Sequence, residues 1–128
     1  MTVINKEYLI PASLEKVWDS LVNPITIEKW TQDKAEMSEK PKAKFSLWSG
    51  EIHGKNLKIV KNKTLVQEWY GGDWEKPSKV TFSFSKKGTS TLVKLKHEDV
   101  PIEEVKEFDK GWDTFYFNPI KDMLENWE

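Results

Sequence analysis

The last quarter of the chain limits the fold most strongly, because its apolar residues recur every three or four positions. This stripe consists of Ile102, Val105, Phe108, Trp112, Phe115, Tyr116, Pro119, Ile120, Met123, Leu124 and Trp127. The spacing predicts one amphipathic helix of about 26 residues beginning near Pro101, roughly 39 Å long at the standard rise. Gly111 and Pro119 interrupt the pattern, and an internal proline is expected to kink the helix or free a carbonyl. Such a helix needs a large apolar surface to cover.

The middle of the chain, from Thr31 to His97, has the alternation that builds such a surface. Apolar residues recur at every second position between turn residues, which predicts a meander of antiparallel strands. The clearest strand alternates Val80, Phe82 and Phe84 with small polar residues and therefore has one buried face. The predicted strands cover residues 44–48, 51–60, 64–70, 80–85 and 91–96.

The first thirty residues predict a strand followed by two short helices. Residues 2–10 alternate as a strand, and Ser13 is positioned to cap a helix that carries Leu14, Val17 and Leu21 on one face. Pro24 ends that helix and suits the first turn of a second one. The whole chain, residues 1–128, is thus expected to form one α+β domain, with a curved antiparallel sheet around a long C-terminal helix.

Composition excludes several kinds of chemistry. All 20 basic residues are lysines and 21 residues are acidic, so the formal net charge is −1. Without arginine the bidentate fork that phosphate and base recognition favour is missing, and no nucleic-acid partner is predicted. Cysteine is absent, which removes thiol nucleophiles, thiolate zinc sites and disulfides. No apolar run has the length of a signal-peptide core or a membrane span, so a cytoplasmic location is expected.

Aromatic residues are the unusual feature of the composition, with seven tryptophans, six phenylalanines and three tyrosines. A sheet that curls around a helix diverges from it away from the line of contact, and the concave apolar space left there suits a small ligand. The same rings could instead fill that space as core, and both readings are open. The candidate residues of a ligand cavity are Trp30, Trp48, Trp69, Phe82, Phe84, Trp112, Phe115 and Tyr116.

Residues that could perform catalysis are few. His53 and His97 are the only histidines, and each lies in a predicted strand. Both would have to point inward to form an acid/base pair or part of a metal site, and Glu51, Glu68 and Asp99 would serve as general bases only if buried. Strand alternation places most carboxylates on the solvent face. The sequence therefore predicts no catalytic residue, no metal and no cofactor.

Four local motifs stand out along the chain. The most specific is GWDTFYFNPIK at residues 111–121. The other three are VWDSLVNP at 17–24, GEIHGK at 50–55 and QEW at 67–69. Taken in order, these motifs resemble the activator-of-heat-shock-protein-90-ATPase homologue family of the START-like (Bet v 1-like) superfamily. The resemblance covers nearly the whole chain and implies a helix-grip fold.

Three functions follow as hypotheses, since a fold alone does not deliver a function. The first is non-enzymatic binding of a small hydrophobic or amphipathic molecule between the sheet and the C-terminal helix. By resemblance, the second is a co-chaperone-like protein that contacts heat shock protein 90 and modulates its ATPase. The third is a cyclase-like or hydrolase-like enzyme, which would need convergent polar groups in the cavity.

Overall fold

The computed structural model describes residues 2–126 and contains a single six-stranded sheet. The first part of the chain forms β1 (Val3–Ile10), α1 (Leu14–Val22) and α2 (Pro24–Thr31). The five remaining strands are β2 (Lys44–Leu47), β3 (Ile52–Val60), β4 (Thr64–Gly71), β5 (Ser78–Lys87) and β6 (Ser90–Glu98). The strand order across the sheet is β1-β6-β5-β4-β3-β2, with every neighbouring pair antiparallel.

One face of this sheet is buried and the other faces solvent, as the alternation predicts. Val80, Phe82 and Phe84 of β5 are buried, while Ser83 and Ser85 between and beyond them are exposed. The buried face packs against the helices to form one core. The predicted α+β helix-grip fold is confirmed.

The two short helices begin where the capping signals predict. The Ser13 hydroxyl accepts a hydrogen bond from the Lys16 backbone N–H at 3.3 Å, which satisfies one free donor at the start of α1. The Asn23 side chain does the same for the Ile25 N–H at 3.0 Å, and Pro24 occupies the first turn of α2. The resulting helix hairpin lies between β1 and β2 in the chain.

The C-terminal helical segment, residues 102–125, changes pitch along its length rather than forming one regular helix. A short 3-10 turn (Ile102–Glu104) leads into α3 (Val105–Gly111), a π-helical turn (Trp112–Phe117) and α4 (Asn118–Glu125). The Asn118 N–H bonds to the Asp113 carbonyl five residues back, and Pro119 has no N–H to offer. The predicted interruption at the proline is therefore a wider turn. Trp127, the last member of the predicted stripe, lies outside the described residues.

A polar contact fixes the π-helical turn to the edge of the sheet. The Lys6 ammonium of β1 lies 3.0 Å from the Asp113 carboxylate, and the Tyr8 hydroxyl donates to the same carboxylate at 2.6 Å. The Tyr8 ring also stacks on Phe117 with 4.1 Å between ring centroids. These contacts hold Trp112 and Tyr116 against the centre of the sheet. Within residues 2–126, no helix combines the length and apolarity needed to cross a membrane.

Candidate functional site

Aromatic rings from five elements meet between the sheet and the C-terminal helical segment. This aromatic interior consists of Trp30, Trp48, Trp69, Phe82, Trp112 and Tyr116. Tyr116 lies at its centre, with its ring centroid 4.7 Å from that of Trp30 and 4.8 Å from that of Trp112. Trp69 is 4.7 Å from Trp112 on the other side. The rings are in mutual contact and occupy much of the space that a ligand would need.

The aromatic interior contains six of the eight residues named from the sequence, and two lie elsewhere. Phe84 is buried farther along β5, where its ring meets Trp18 edge-on at 5.2 Å. Phe115 lies apart from the group, and its side chain is 64% exposed. A π-helical turn holds more residues than an α-helical one, so Tyr116 and Phe117 align under Trp112 while Phe115 turns outward.

His97 is fully buried beside the aromatic interior and both of its ring nitrogens are engaged. The Trp112 indole N–H donates to Nδ1 at 3.1 Å, and Nε2 lies 2.7 Å from the Ser78 hydroxyl oxygen. That hydroxyl donates in turn to the Trp69 carbonyl at 2.9 Å. An indole can only donate, so His97 must be neutral with its proton on Nε2. Burial lowers the pKa of His97 to about 3, in agreement with this arrangement.

A second buried polar network ties the sheet to the loop before β2. The Trp69 indole N–H donates to the Gln67 side-chain oxygen at 2.8 Å, and the Gln67 amide donates to the Asn56 side-chain oxygen at 2.9 Å. Asn56 then donates to the Ser38 carbonyl at 3.0 Å. Strand alternation with Leu65 and Trp69 could have marked Gln67 as inward-facing. No sequence signal marks Asn56, which lies at a register shift in β3.

Tyr116 and Trp48 each bring a polar atom to the aromatic interior. Burial raises the pKa of the Tyr116 hydroxyl, and among residues 2–126 no hydrogen bond is made by that hydroxyl or by the half-buried Trp48 indole N–H. Their ring centroids are 6.4 Å apart. These two groups could form hydrogen bonds with a ligand bound at the aromatic interior.

The backbone at Trp48 is left-handed, with φ +51°, and the next two residues follow with +56° at Ser49 and +96° at Gly50. Glycine alone adopts such values without steric cost, and for a bulky residue they are outliers. The Ser49 N–H donates to the Lys34 carbonyl at 3.1 Å, and the Ser49 hydroxyl donates to the Asp33 carboxylate. These bonds hold the strained turn so that Trp48 covers Trp30 and Tyr116.

The other candidates for acid/base chemistry do not join His97. His53 is exposed on the outer face of β3 and stacks on Tyr70 with centroids 5.3 Å apart. Glu68 lies 3.9 Å from the Lys55 ammonium on that same face, and Glu51 and Asp99 are exposed. Over the part of the chain that the structure describes, no group of three potential metal-binding side chains comes together.

Two clefts lie outside the aromatic interior. One, of about 420 Å³, lies between α1 and the β3–β4 turn and is bordered by Trp18, Asp19, Glu39 and Asn62. The other, of about 330 Å³, is a depression on the outer face of the sheet over Thr81 and Ser83. Neither lies between the sheet and the C-terminal helical segment.

The chain matches a known protein family over most of its length. The family model described as "Activator of Hsp90 ATPase homolog 1-like protein" matches residues 11–125. The chain belongs to this family. A Dictyostelium discoideum member, named an activator of 90 kDa heat shock protein ATPase homolog, is 31% identical over 107 residues, which are 81% of this chain and 28% of that protein. The Saccharomyces cerevisiae Hsp90 co-chaperone AHA1 is 24% identical over 120 residues, 88% of this chain and 34% of its own length.

One solved structure matches this chain almost completely. An HSP90 activator from Plasmodium falciparum superposes with a TM-score of 0.89 at 25% identity, covering 98% of this chain and 97% of that one. By contrast, the chain spans only about a third of the length of the curated family relatives it matches. The Aha1-like fold is therefore shared in full, whereas the longer relatives contain more protein than this domain.

Proposed function

We propose that this domain contacts a 90 kDa heat shock protein in the cytoplasm and changes its ATPase rate. The observation that carries the proposal is the near-complete match, in sequence family and in structure, to proteins described as activators of that chaperone. The contacts among the rings of the aromatic interior support it, because a partner then meets the surface of the domain rather than its core. Buried rings then serve to hold that surface rigid.

The test of contact is a binding measurement with the 90 kDa heat shock protein of the same organism. Sedimentation velocity of a mixture, with ATP or a non-hydrolysable analogue present, should show this protein moving with the chaperone at micromolar concentration. Bovine serum albumin at equal concentration is the control for nonspecific association. Independent sedimentation of the two proteins with and without nucleotide would refute the proposal.

A second candidate function is binding of a small hydrophobic or amphipathic molecule at the aromatic interior. Trp48 favours it, because strained backbone persists only where surrounding structure enforces it and is concentrated at ligand clamps and switch regions. Movement of the Trp48 indole would expose one face of the Trp30 ring and one face of the Tyr116 ring. The free Tyr116 hydroxyl could then donate to a carbonyl or hydroxyl oxygen on the guest.

Native mass spectrometry of freshly purified protein tests this second function. A retained molecule should appear as an added mass that is lost on denaturation, and the Tyr116→Phe variant should retain less of it. The Phe115→Leu variant is the matched control, because Phe115 lies on the same turn but points to solvent. This function would be ruled out by a native mass equal to that of the polypeptide alone, together with tryptophan fluorescence that does not change on addition of apolar probes.

A further inference from the structure

Charge is strongly separated along this nearly neutral chain. Residues 44–96 contain eleven lysines and four acidic residues, whereas residues 97–128 contain three lysines and ten acidic residues. A net charge of −1 therefore conceals two regions of opposite sign. Such a distribution produces an external field that orients a protein as it approaches a charged partner.

The folded sheet gathers four of the lysines at one end. We name Lys61, Lys63, Lys86 and Lys87 the hairpin-tip lysines, since they flank the β3–β4 and β5–β6 turns. These turns lie at the same end of the sheet because β4 and β5 are antiparallel neighbours, with Thr64 opposite Ser83. The Phe84 N–H donates to the Lys63 carbonyl at 2.8 Å, which joins the first turn to β5.

These four side chains are exposed, and none lies within 4 Å of a carboxylate in the described range 2–126. Lys58 and Lys94 extend the basic surface along the outer face of the sheet, again with no carboxylate at that distance in the described range. Lys61 also borders the cleft that contains Asp19 and Glu39, so the positive charge farthest from these carboxylates belongs to Lys63, Lys86 and Lys87.

The opposite end of the sheet is richer in carboxylates. There the β2–β3 and β4–β5 turns and the chain after β6 carry Glu51, Asp73, Glu75, Asp99, Glu103 and Glu104, against Lys76 in the β4–β5 turn. An acidic partner is attracted to the hairpin tips and repelled by this end. The two ends therefore select one orientation of the domain on the partner.

The chemistry of lysine suits a loosely defined partner surface. An ammonium group is a mobile, strongly hydrated point charge that requires no fixed acceptor geometry, whereas the planar fork of arginine, which this chain lacks, fits carboxylate and phosphate groups in a fixed geometry. A set of unpaired lysines on two neighbouring turns fits scattered carboxylates on a folded surface. We propose that the hairpin-tip lysines are the docking surface of this domain for an acidic surface of its protein partner. The inference rests on the proposed chaperone contact.

Charge reversal with a matched control tests the docking surface. The Lys86→Glu/Lys87→Glu variant should bind the same-organism 90 kDa heat shock protein about tenfold more weakly at 0.1 M salt. The Lys106→Glu/Lys110→Glu variant changes the net charge equally on the exposed side of α3 and should bind like the wild type. Wild-type affinity should fall as salt rises, and the hairpin-tip variant should show a shallower fall. Circular dichroism melts establish that both variants fold.

Each alternative result has a distinct meaning. Equal affinity of the two variants overturns the docking surface and leaves the chaperone contact standing. If the wild type fails to bind the chaperone, the proposed function fails, and a 20-residue glutamate peptide then tests the surface alone. Loss of peptide binding in the hairpin-tip variant only would support the surface. Tighter binding of a single-stranded oligonucleotide, or salt-sensitive self-association abolished by the hairpin-tip change, would overturn the assigned partner class.

Discussion

The Trp112 indole N–H donates to Nδ1 of His97 across 3.1 Å, and this contact sets the protonation state of the one buried histidine. It joins the C-terminal helical segment to β6 in the middle of the core. The His97 Nε2–H continues the chain of hydrogen bonds to Ser78, and from there to the Trp69 carbonyl. Helix and sheet are thus linked by direction-specific bonds as well as by apolar contact.

Replacing Trp112 with phenylalanine should destabilise the fold by about 1–3 kcal/mol more than the ring change alone, because the buried Nδ1 acceptor loses its donor. Trp74→Phe is the matched control. Its indole N–H donates to Glu104 in a half-buried position, where water can replace the lost partner. Urea denaturation of both variants gives the two free energies of unfolding. Similar losses in both would contradict the role assigned to the contact with His97.

Acid should destabilise the protein through His97. Its pKa in the folded state is about 3, below the ordinary value of 6.5, so the unfolded chain binds the extra proton first. The free energy of unfolding should therefore fall as pH drops from about 6.5 towards 3, by at most ~1.4 kcal/mol per unit from this group. Above pH 6.5 this contribution is complete.

Chemical denaturation at several pH values measures the slope, with His53→Gln as the control. His53 is exposed, so its removal should leave the slope between pH 6.5 and 4 unchanged. In the His97→Gln variant, the dependence of the free energy of unfolding on pH should be weaker by the contribution of His97. A slope that survives in His97→Gln would mean that other groups dominate the acid response.

Much of this arrangement could be predicted from the sequence. The features that could not be predicted were missed for physical reasons. Alternation at Val80, Phe82 and Phe84 predicts the buried face of β5 because side chains in a strand must alternate. Trp30, Trp69 and Tyr116 were named from the aromatic composition, and their rings lie together in the structure.

Periodicity failed where the backbone departs from regular geometry. Phe115 follows the α-helical spacing, but the π-helical turn rotates it outward. The Trp48–Gly50 turn is held by tertiary bonds to residues 33 and 34, which no local pattern reveals. The hydrogen-bond partners of His97, Ser78 and Trp112, come from two separate elements and could be assigned only once the strands were in register.

The exposed position of Phe115 gives a direct check of the π-helical turn. Phe115→Ser should change the free energy of unfolding by less than about 0.5 kcal/mol, since the side chain is in solvent. Phe117→Ala, two positions later and fully buried, should cost about 3–5 kcal/mol. Guanidinium titrations of the two variants measure the difference. A regular α-helix through this segment would instead make Phe115→Ser costly.

Gly54 should tolerate no side chain. A Cβ at this position would lie 1.8 Å from the Glu68 carbonyl oxygen of β4, so Gly54→Ala must push β3 away from β4. We expect a loss of about 3 kcal/mol or more, or failure to fold. Gly72→Ala has open space around it but a left-handed φ of +53°, and should cost about 1 kcal/mol. Equal melting temperatures for Gly54→Ala and Gly72→Ala would contradict this prediction. They would show that β3 and β4 can move apart at little cost in free energy.

The ATPase rate of the same-organism 90 kDa heat shock protein tests the central claim most directly. Steady-state hydrolysis should be followed with rising concentrations of this domain, and an inhibitor specific for the chaperone gives the background rate. We predict a saturable increase, reduced in the Lys86→Glu/Lys87→Glu variant and preserved in Lys106→Glu/Lys110→Glu. A rate unchanged at all concentrations up to the high micromolar range would contradict the account.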